Sequence, residues 1–577
     1  MFLPTTKEEL NALGWEKADV ILINGDSYID SPYSGIALLG RILEKAGYKV
    51  GIIAQPDTNN LNDISRLGEP ALFWGVSAGA VDSMVSNYTA LKKPRSRDDF
   101  TPGGINNRRP DRASIVYTNL IRRAFKNTKP ILLGGIEASL RRISHYDYWT
   151  DKIRGSILLD AKADYLLYGM ADKSILQFAE ALKNGQSPQN IRGLVFASHE
   201  LPENALVIPS LEEVRSDQKQ FIKAFRIFYE NCDPITAHRI AQKHDERYII
   251  QNPPAKTLSQ QELDEIYSLP FTREQHPYYE AQGPVKALET TRFSVVTHRG
   301  CYGECNFCAI AVHEGRTVQW RSEKSILAEI ETISKLPDFK GIITDLSGPT
   351  ANMYGFECSK KLAQGACKDK RCLYPKPCLY PKPCLMLKID HQPSLSLLDK
   401  ARKIPGIKKV FVASGIRYDM ILHDSGCGKS YTQELCNYHV SGQLKVAPEH
   451  DSPKVLQLMG KPGKELLLQF KRDFDQINRD TGKKQYLSYY FIAAHPGCTI
   501  KDMQGLKTFA NEELHIAPEQ TQIFTPTPST WSTLMYATET NPFTGEHIFV
   551  EKDPNQKQRQ KDILTQKEQK KTWTKHS

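Results

Sequence analysis

Two series of short apolar runs divide the chain. In the first, residues 20–23 (VILI) end in the turn-rich Asn24-Gly25-Asp26-Ser27. An amphipathic stretch follows over 35–45 and closes at Gly47, and residues 50–54 (VGIIA) form the next run. Strand, helix and strand in that order make a βαβ unit, whose crossover forces the strands parallel. Further apolar runs lie at 72–76, 131–133 and 165–167. Several end in Gly or a small polar residue, where an open doubly wound sheet places its ligand crevice. The pattern predicts a Rossmann-like α/β domain over 1–208.

Between 209 and 286 the pattern turns helical and polar and ends in Pro270, Pro277 and Pro284, as expected of a helical bridge and linker. The second series has strand patterns at 293–297 (FSVVT), 341–346, 410–414, 442–447 and 487–494. Helical patterns at 322–335, 395–404 and 463–480 separate them. Repeated βα units predict a full or partial β/α barrel over 287–551, with a second Rossmann-like sheet as the competing arrangement. An insertion at 356–391 carries a perfect tandem hexapeptide, CLYPKP at 372–377 and again at 378–383. Two short copies make a local duplication, not a solenoid. Residues 552–577, rich in Gln and Lys, predict a basic disordered tail.

Composition changes this picture little. The 577 residues are 40% hydrophobic and 25% charged, as in an ordinary globular protein. The net charge of +10 is dispersed, which reads as a basic solvated surface before a nucleic-acid footprint. The N-terminus has acidic residues and no apolar core of a secretory signal, and no run of about 18 apolar residues occurs. A cytoplasmic protein with no membrane contact is expected. In that setting tight clusters among 12 cysteines point to metal or redox chemistry ahead of disulfides.

Cys301, Cys305 and Cys308 stand in a Cys-x3-Cys-x2-Cys loop directly after a strand pattern. Three thiolates on one loop hold three irons of a cubane cluster and leave the fourth open for reaction. A structural zinc site closes its shell with a fourth ligand, and His298 and His313 are near enough in sequence to keep that alternative open. Gly300 and Gly303 let the loop curve around a ligand.

This loop, with the aromatic Phe307 before its last Cys, resembles the signature of radical S-adenosylmethionine (SAM) enzymes. The stretches GDSYID (25–30), GGIEASLRR (134–142), THRGCYGECNFC (297–308), DLSGPTANMYG (345–355), KVAPEH (445–450) and FTPTPSTWSTLMYAT (524–538) resemble the YgiQ-like family of radical SAM proteins over residues 2–552. The resemblance implies a radical SAM barrel behind a separate N-terminal domain. It also implies a [4Fe-4S] cluster on Cys301, Cys305 and Cys308, with SAM chelating the open iron. An external donor supplies one electron, and cleavage of SAM gives methionine and a 5′-deoxyadenosyl radical that acts on an unassigned substrate, an RNA or a protein. Phe307, Ser347, Gly348, Ser414 and Arg417 are the expected cofactor contacts. Leu346-Ser347-Gly348-Pro349 departs from the commoner Gly-Gly-Glu after the second strand, so it matches by location and type only. Arg417 reads either as a fork for the SAM carboxylate or as a surface ion pair. Glu449 and His495 close further strands and face either the cavity or local caps.

Cys358, Cys367, Cys372, Cys378 and Cys384 form a second set within the insertion, with His391 close behind. Three readings stand: an auxiliary iron–sulfur cluster or zinc ion, a redox-active thiol, or a reduced loop. In the first domain, Ser77-Ala78-Gly79-Ala80 and Gly134-Gly135-Ile136-Glu137 end strands, and Arg141, Arg142, His145 and Tyr146 are polar enough to line a crevice. The loop from Asp30 to Gly35 puts Pro32 where a cobalamin domain of the Asp-x-His-x-x-Gly type has its cobalt-ligating His, so cobalamin is not expected. The competing function is a non-catalytic zinc or iron–sulfur protein that binds a partner macromolecule.

Overall fold

A computed structural model describes residues 1–365, 367, 378–518 and 521–565. The first half is built on one nine-stranded sheet. Its order is Val50–Ala54, Val20–Asn24, Phe73–Ser77, Ile131–Gly134, Tyr165–Leu167, Leu194–Ser198, Arg247–Gln251, Ile240–His244, Leu206–Ile208. The first five strands are parallel, with Val20 in register with both Val50 and Phe73. Every residue of Val20–Asn24 is buried. Helices cover both faces of such a sheet, so its strands read as unbroken apolar runs. Gly35–Lys45 and Asp172–Lys183 pack on one face, and Ala113–Ala124 lies on the other.

The segment 209–286 is not the helical bridge its pattern predicts. Leu211–Ser216 and Gln218–Glu230 are helices, but Ile240–His244 and Arg247–Gln251 form an antiparallel hairpin that extends the sheet. The strand signal is hidden because Gln242 and His244 point inward and are buried. Gln242 Nε2 donates to Ser144 Oγ (2.7 Å) and to the Pro209 carbonyl (2.9 Å), which makes a polar side chain affordable in the core.

In the second half, parallel strands follow one another in chain order. Ser294–Val296 pairs with Asp345–Ser347, and Ile342–Ile343 with Lys409–Val410. A bridge joins Ile416 to Val446. Gln443–Glu449 then pairs with Tyr486–Ala493, which pairs with Thr521–Ile523. This is the partial β/α barrel, with helices such as Glu323–Ser334, Gln392–Ala401 and Lys464–Thr481 between strands. The fold is mixed α/β.

The tail is also corrected in part. Pro554–Thr565 is a helix whose Lys557 and Gln560 are buried against the barrel. Gln560 Oε1 accepts from the Ala494 amide (2.9 Å), and Nε2 donates to the Cys498 carbonyl (3.2 Å). Residues 566–577 lie outside the described residues.

The two halves share a core. Phe524, Trp531, Leu534, Met535, Tyr536 and Ile548 belong to the same apolar cluster as Tyr117, Leu133 and Phe225 of the first half. The Trp531 ring meets Phe225 at 4.7 Å and Tyr229 at 4.9 Å. Between the halves Arg299 Nη1 binds both carboxylate oxygens of Asp172 at 2.9 Å, and Arg299 Nε donates to Tyr267 OH (3.0 Å).

Candidate metal centre and the adjoining cavity

The cysteine loop leaves the first barrel strand through His298–Arg299, which pairs antiparallel with Gln319–Trp320. Gly300 has φ +82°, and a side chain there would collide with the Thr317 carbonyl. Only Gly takes that turn without strain. The rest of the loop is pinned by its backbone. The Cys301 amide donates to Gly315 O (3.1 Å), and the Cys308 amide to Cys305 O (2.9 Å). Asn306 donates through its amide to Met459 O (2.9 Å) and through Nδ2 to Leu458 O (3.0 Å), while its carbonyl accepts from the Ser532 amide (2.9 Å). Glu304, at φ +45°, is buried and paired with Arg316 at 3.0 Å, and Tyr229 OH donates to it (3.1 Å).

The three thiols share one setting. A Cβ on Gly303 would lie 3.2 Å from Cys301 Sγ, 3.9 Å from Cys305 Sγ and 3.1 Å from Arg417 Nη1. Arg417 Nη1 donates to Cys305 Sγ at 3.6 Å. Burial pushes the Cys301 and Cys308 thiols up. Among the described residues no three Cys, His, Asp or Glu side chains stand so as to hold an ion in their present rotamers. A turn about each Cα–Cβ bond re-aims a sulfur without moving the backbone. The donor set fits an iron–sulfur cluster: three thiols on one glycine-bearing loop, with a cationic fork beside them to balance thiolate charge.

Beside the loop lies a buried charged group. Arg417 Nε and Nη2 bind both oxygens of Asp419 at 2.8 and 2.6 Å. The surface ion pair read as an alternative for Arg417 is therefore buried. Burial alone would lower the guanidinium, but Asp419 holds it above its ordinary range. The Arg417 amide donates to Asn352 Oδ1 (2.8 Å), and Asn352 Nδ2 lies 3.1 Å from His391 Nε2. His391 Nδ1 meets Asp424 at 2.7 Å, so both ring nitrogens of His391 are engaged. Glu449 has φ +69° where its strand slips register and pairs with Lys461 at 3.3 Å. Burial raises Glu449, with Lys461 opposing. His495 is satisfied internally: Nε2 meets Ser532 Oγ at 2.6 Å and Nδ1 the Pro496 carbonyl at 2.9 Å, and burial pushes it down to about 3.

A cavity of about 510 Å³ opens between the two halves. On one side are the carboxyl ends of the first sheet, with Asn24, Ser77, Gly134 and Gly135; on the other are His298, Ser347, Gly348 and Ser414. Three of the sequence-derived cofactor contacts, Ser347, Gly348 and Ser414, thus line one chamber. Arg417, Phe307 and the three cysteines are not among its lining residues. Phe307 packs between the two cores, its ring 6.3 Å from His495. Ser414 Oγ donates to Asp345 Oδ2 (2.6 Å). Gly348 presses on His298, whose ring a Cβ would approach to 2.6 Å. Burial pushes His298 down to about 4. His313, Asp172 and Glu314 also line the cavity and carried no motif that singled them out as its walls.

The crevice residues proposed for the first domain are mostly structural. Arg141 is paired with buried Asp82, and Tyr146 OH donates to Asp151. Arg142 lies between the Tyr168 and Phe228 rings at 4.2 and 4.4 Å. His145 is buried, and burial pushes it down to about 3. In the insertion, Cys358, Cys367 and Cys378 are buried in one cluster, with Cys384 packed against it. Cys372 lies outside the described residues.

Comparison with known proteins gives the class first. Residues 2–294 match the family model Radical SAM N-terminal, which sets the chain in the radical SAM superfamily. It is 58% identical over 567 residues to UPF0313 protein FN0734 of Fusobacterium nucleatum, covering 98% of this chain and 99% of that one. Identity is 48% to a UPF0313 protein of Methanocella arvoryzae, over 97% and 92% of the two chains. It is 49% to one of Thermotoga petrophila, over 96% of each. The chain belongs to the UPF0313 family. Among solved structures it is similar to the radical SAM methyltransferase TsrM from Kitasatospora setae, with TM-score 0.48, 13% identity, and coverage of 89% of this chain and 74% of that one. It is also similar to the cobalamin-dependent radical SAM enzyme OxsB, with TM-score 0.48, 12% identity, and coverage of 92% and 57%.

One expectation is corrected by these comparisons. The expectation that cobalamin is not used is withdrawn; TsrM and OxsB have each been solved with cobalamin bound. Pro32 speaks only to one mode of cobalt ligation, by a His in that loop. Finally, no helix of the described residues is long and apolar enough to cross a membrane.

Proposed function

We propose that this protein is a radical SAM enzyme of the YgiQ-like type. Cys301, Cys305 and Cys308 hold a [4Fe-4S] cluster, and SAM binds beside it against Ser347, Gly348, Ser414 and Arg417. The observation that carries the reading is the placement of Cys301 and Cys305 beside Gly303, with Arg417 Nη1 3.6 Å from Cys305 Sγ. When bound, the cluster supplies one electron from an external donor to the sulfonium of SAM, which separates into methionine and a 5′-deoxyadenosyl radical.

The chain's own residues bind, orient and exclude water. Arg417 is held rigid by Asp419 and Asn352, so its free edge meets an anionic group at little entropic cost. Gly303 and Gly348 let the backbone come close to its neighbours, Arg417 and Cys301 at the first and the His298 ring at the second, where a side chain would crowd them. The chamber between the halves takes the substrate. Of the carboxylates on its walls, Asp26 is paired with Arg109 and Asp172 with Arg299, while Asp345 accepts from Ser414 Oγ. Closure between two packed halves keeps a radical away from solvent.

The test is anaerobic reconstitution with iron and sulfide, then dithionite and SAM. The expected product is 5′-deoxyadenosine, reduced to background in Cys305→Ala. Wild-type product formation by Cys305→Ala would sink the reading, as would an intact cluster that leaves SAM uncleaved; the latter favours the non-catalytic alternative.

A further inference from the structure

Beyond the loop triad, the insertion at 356–391 gathers a second set of thiols in one place. Cys358, Cys367 and Cys378 share a buried cluster with Tyr302, Val318, Met353, Phe356, Leu379 and Leu387, and Cys384 packs against it. None of the described cysteines is in a disulfide. The chain is bent to bring them together. Cys358 opens the short helix Ser359–Gln364, and Gly365 ends it at φ +76°. Lys361 anchors that helix inward, with Nζ 3.0 Å from Glu357 and donating to Arg316 O at 2.8 Å. The Cys384 amide donates to the Cys378 carbonyl at 2.8 Å, so those two thiols sit on one closed turn.

We propose that Cys358, Cys367, Cys378 and Cys384 hold a second metal centre ligated by thiolates, a zinc ion or an iron–sulfur cluster. Three considerations support it. First, Ser359–Gln364 is the only regular element among the described residues from 356 to 391. Metal ligation supplies folding energy that the few apolar residues of the segment's described part do not. Leu385 and Met386 are turned outward, which leaves the thiols a large share of what this segment buries. Second, four thiolates close a tetrahedral shell or hold a cubane at all its corners, unlike the three-thiol loop. Third, the Tyr302 hydroxyl is fully buried with no hydrogen-bond partner among the described residues. It packs in one cluster with Cys378 and against Cys301, and Glu357 and Arg417 also bear on it, so it stands between the two cysteine sets. A buried hydroxyl in that position is satisfied by donating to a metal-bound sulfur. As with the triad, the thiols do not stand in a ready ligand set as they are, and the proposed centre requires their side chains to turn on binding.

This proposal is independent of SAM cleavage, and its test separates the two. The full-length chain with Cys301, Cys305 and Cys308 all changed to Ala is purified anaerobically, and its zinc and iron are counted. About one zinc or about four irons per chain is expected, and which metal appears decides between the two sources. Adding Cys358→Ser and Cys367→Ser removes that metal, whereas Cys427→Ser leaves it. X-ray absorption on the triad variant guards against misfolding of the serine variants, because it reads an unaltered insertion. An all-sulfur shell near 2.3 Å for zinc is expected. The idea is overturned by a triad variant free of stoichiometric metal, by metal that survives the two serines, or by a shell of nitrogen and oxygen.

Discussion

Arg417 is tied down on one side and free on the other. Asp419 takes Nε and Nη2, the backbone amide is held by Asn352, and Nη1 alone reaches toward Cys305 Sγ. Lysine keeps the charge but has no planar fork to share between a carboxylate and a second anion. Arg417→Lys is therefore expected to lower 5′-deoxyadenosine formation about tenfold or more, equivalent to about 1.4 kcal/mol or more, with iron content unchanged. Equal rates at saturating SAM and unchanged SAM affinity would show that Arg417 serves the fold only. The residue types at this site were legible in sequence to different degrees. The cysteine spacing names its own chemistry. The pairing of Glu449 with Lys461 was not legible, because twelve positions and the helix Pro453–Met459 separate them and the strand slips register at Glu449. His495 read from its place after a strand as either a cavity residue or a locally satisfied one, and Ser532 takes its ring.

Among elements, those with strong patterns came through and those with polar interiors did not. Parallel strands buried on both faces, such as Val50–Ala54, announce themselves as apolar runs. Ile240–His244 does not, because Gln242 and His244 carry its inward face. The helix Pro554–Thr565 is the same lesson in a sharper form: its docking face is Lys557, Gln560 and Leu564, which reads as a solvated tail. Lys557 Nζ donates to Tyr536 OH (2.8 Å) and Tyr148 OH (3.3 Å), between the rings of both. Burial pushes its amine down to about 8 from the ordinary 10.5, with Lys92 and Lys552 adding and Glu551 and Asp151 opposing. Below pH 8 the ammonium is charged folded and unfolded, and its desolvation penalty is borne in full. Between pH 8 and 10.5 the folded state releases the proton first, so stability rises with pH across that window. Melting temperatures of wild type and Lys557→Met over that range are expected to converge or cross as the wild type gains; parallel curves would remove Lys557 as the cause.

At the scale of the whole molecule, the cavity exists because two separately patterned halves are locked face to face. The lock is the buried pair of Arg299 and Asp172, bidentate at 2.9 Å. Removing one partner strands a charge in the interior, at a cost of about 3–5 kcal/mol. Asp172→Ala is expected to lose that much in urea unfolding and to split one transition into two, whereas the pair of changes Asp172→Leu and Arg299→Met recovers most of it. A single unshifted transition in Asp172→Ala would mean that the apolar core alone holds the halves. That core has a consequence for synthesis on the ribosome. Ser529 Oγ donates to the Leu140 carbonyl across 389 residues, and Trp531 fills the aromatic site of Phe225 and Tyr229. At about 5–20 residues per second, roughly 20–80 s pass between the emergence of Leu140 and that of its partner. From the emergence of Tyr229 until that of Trp531, the nascent first half shows an unfinished aromatic face, and that surface is closed only by a segment made about 300 residues later.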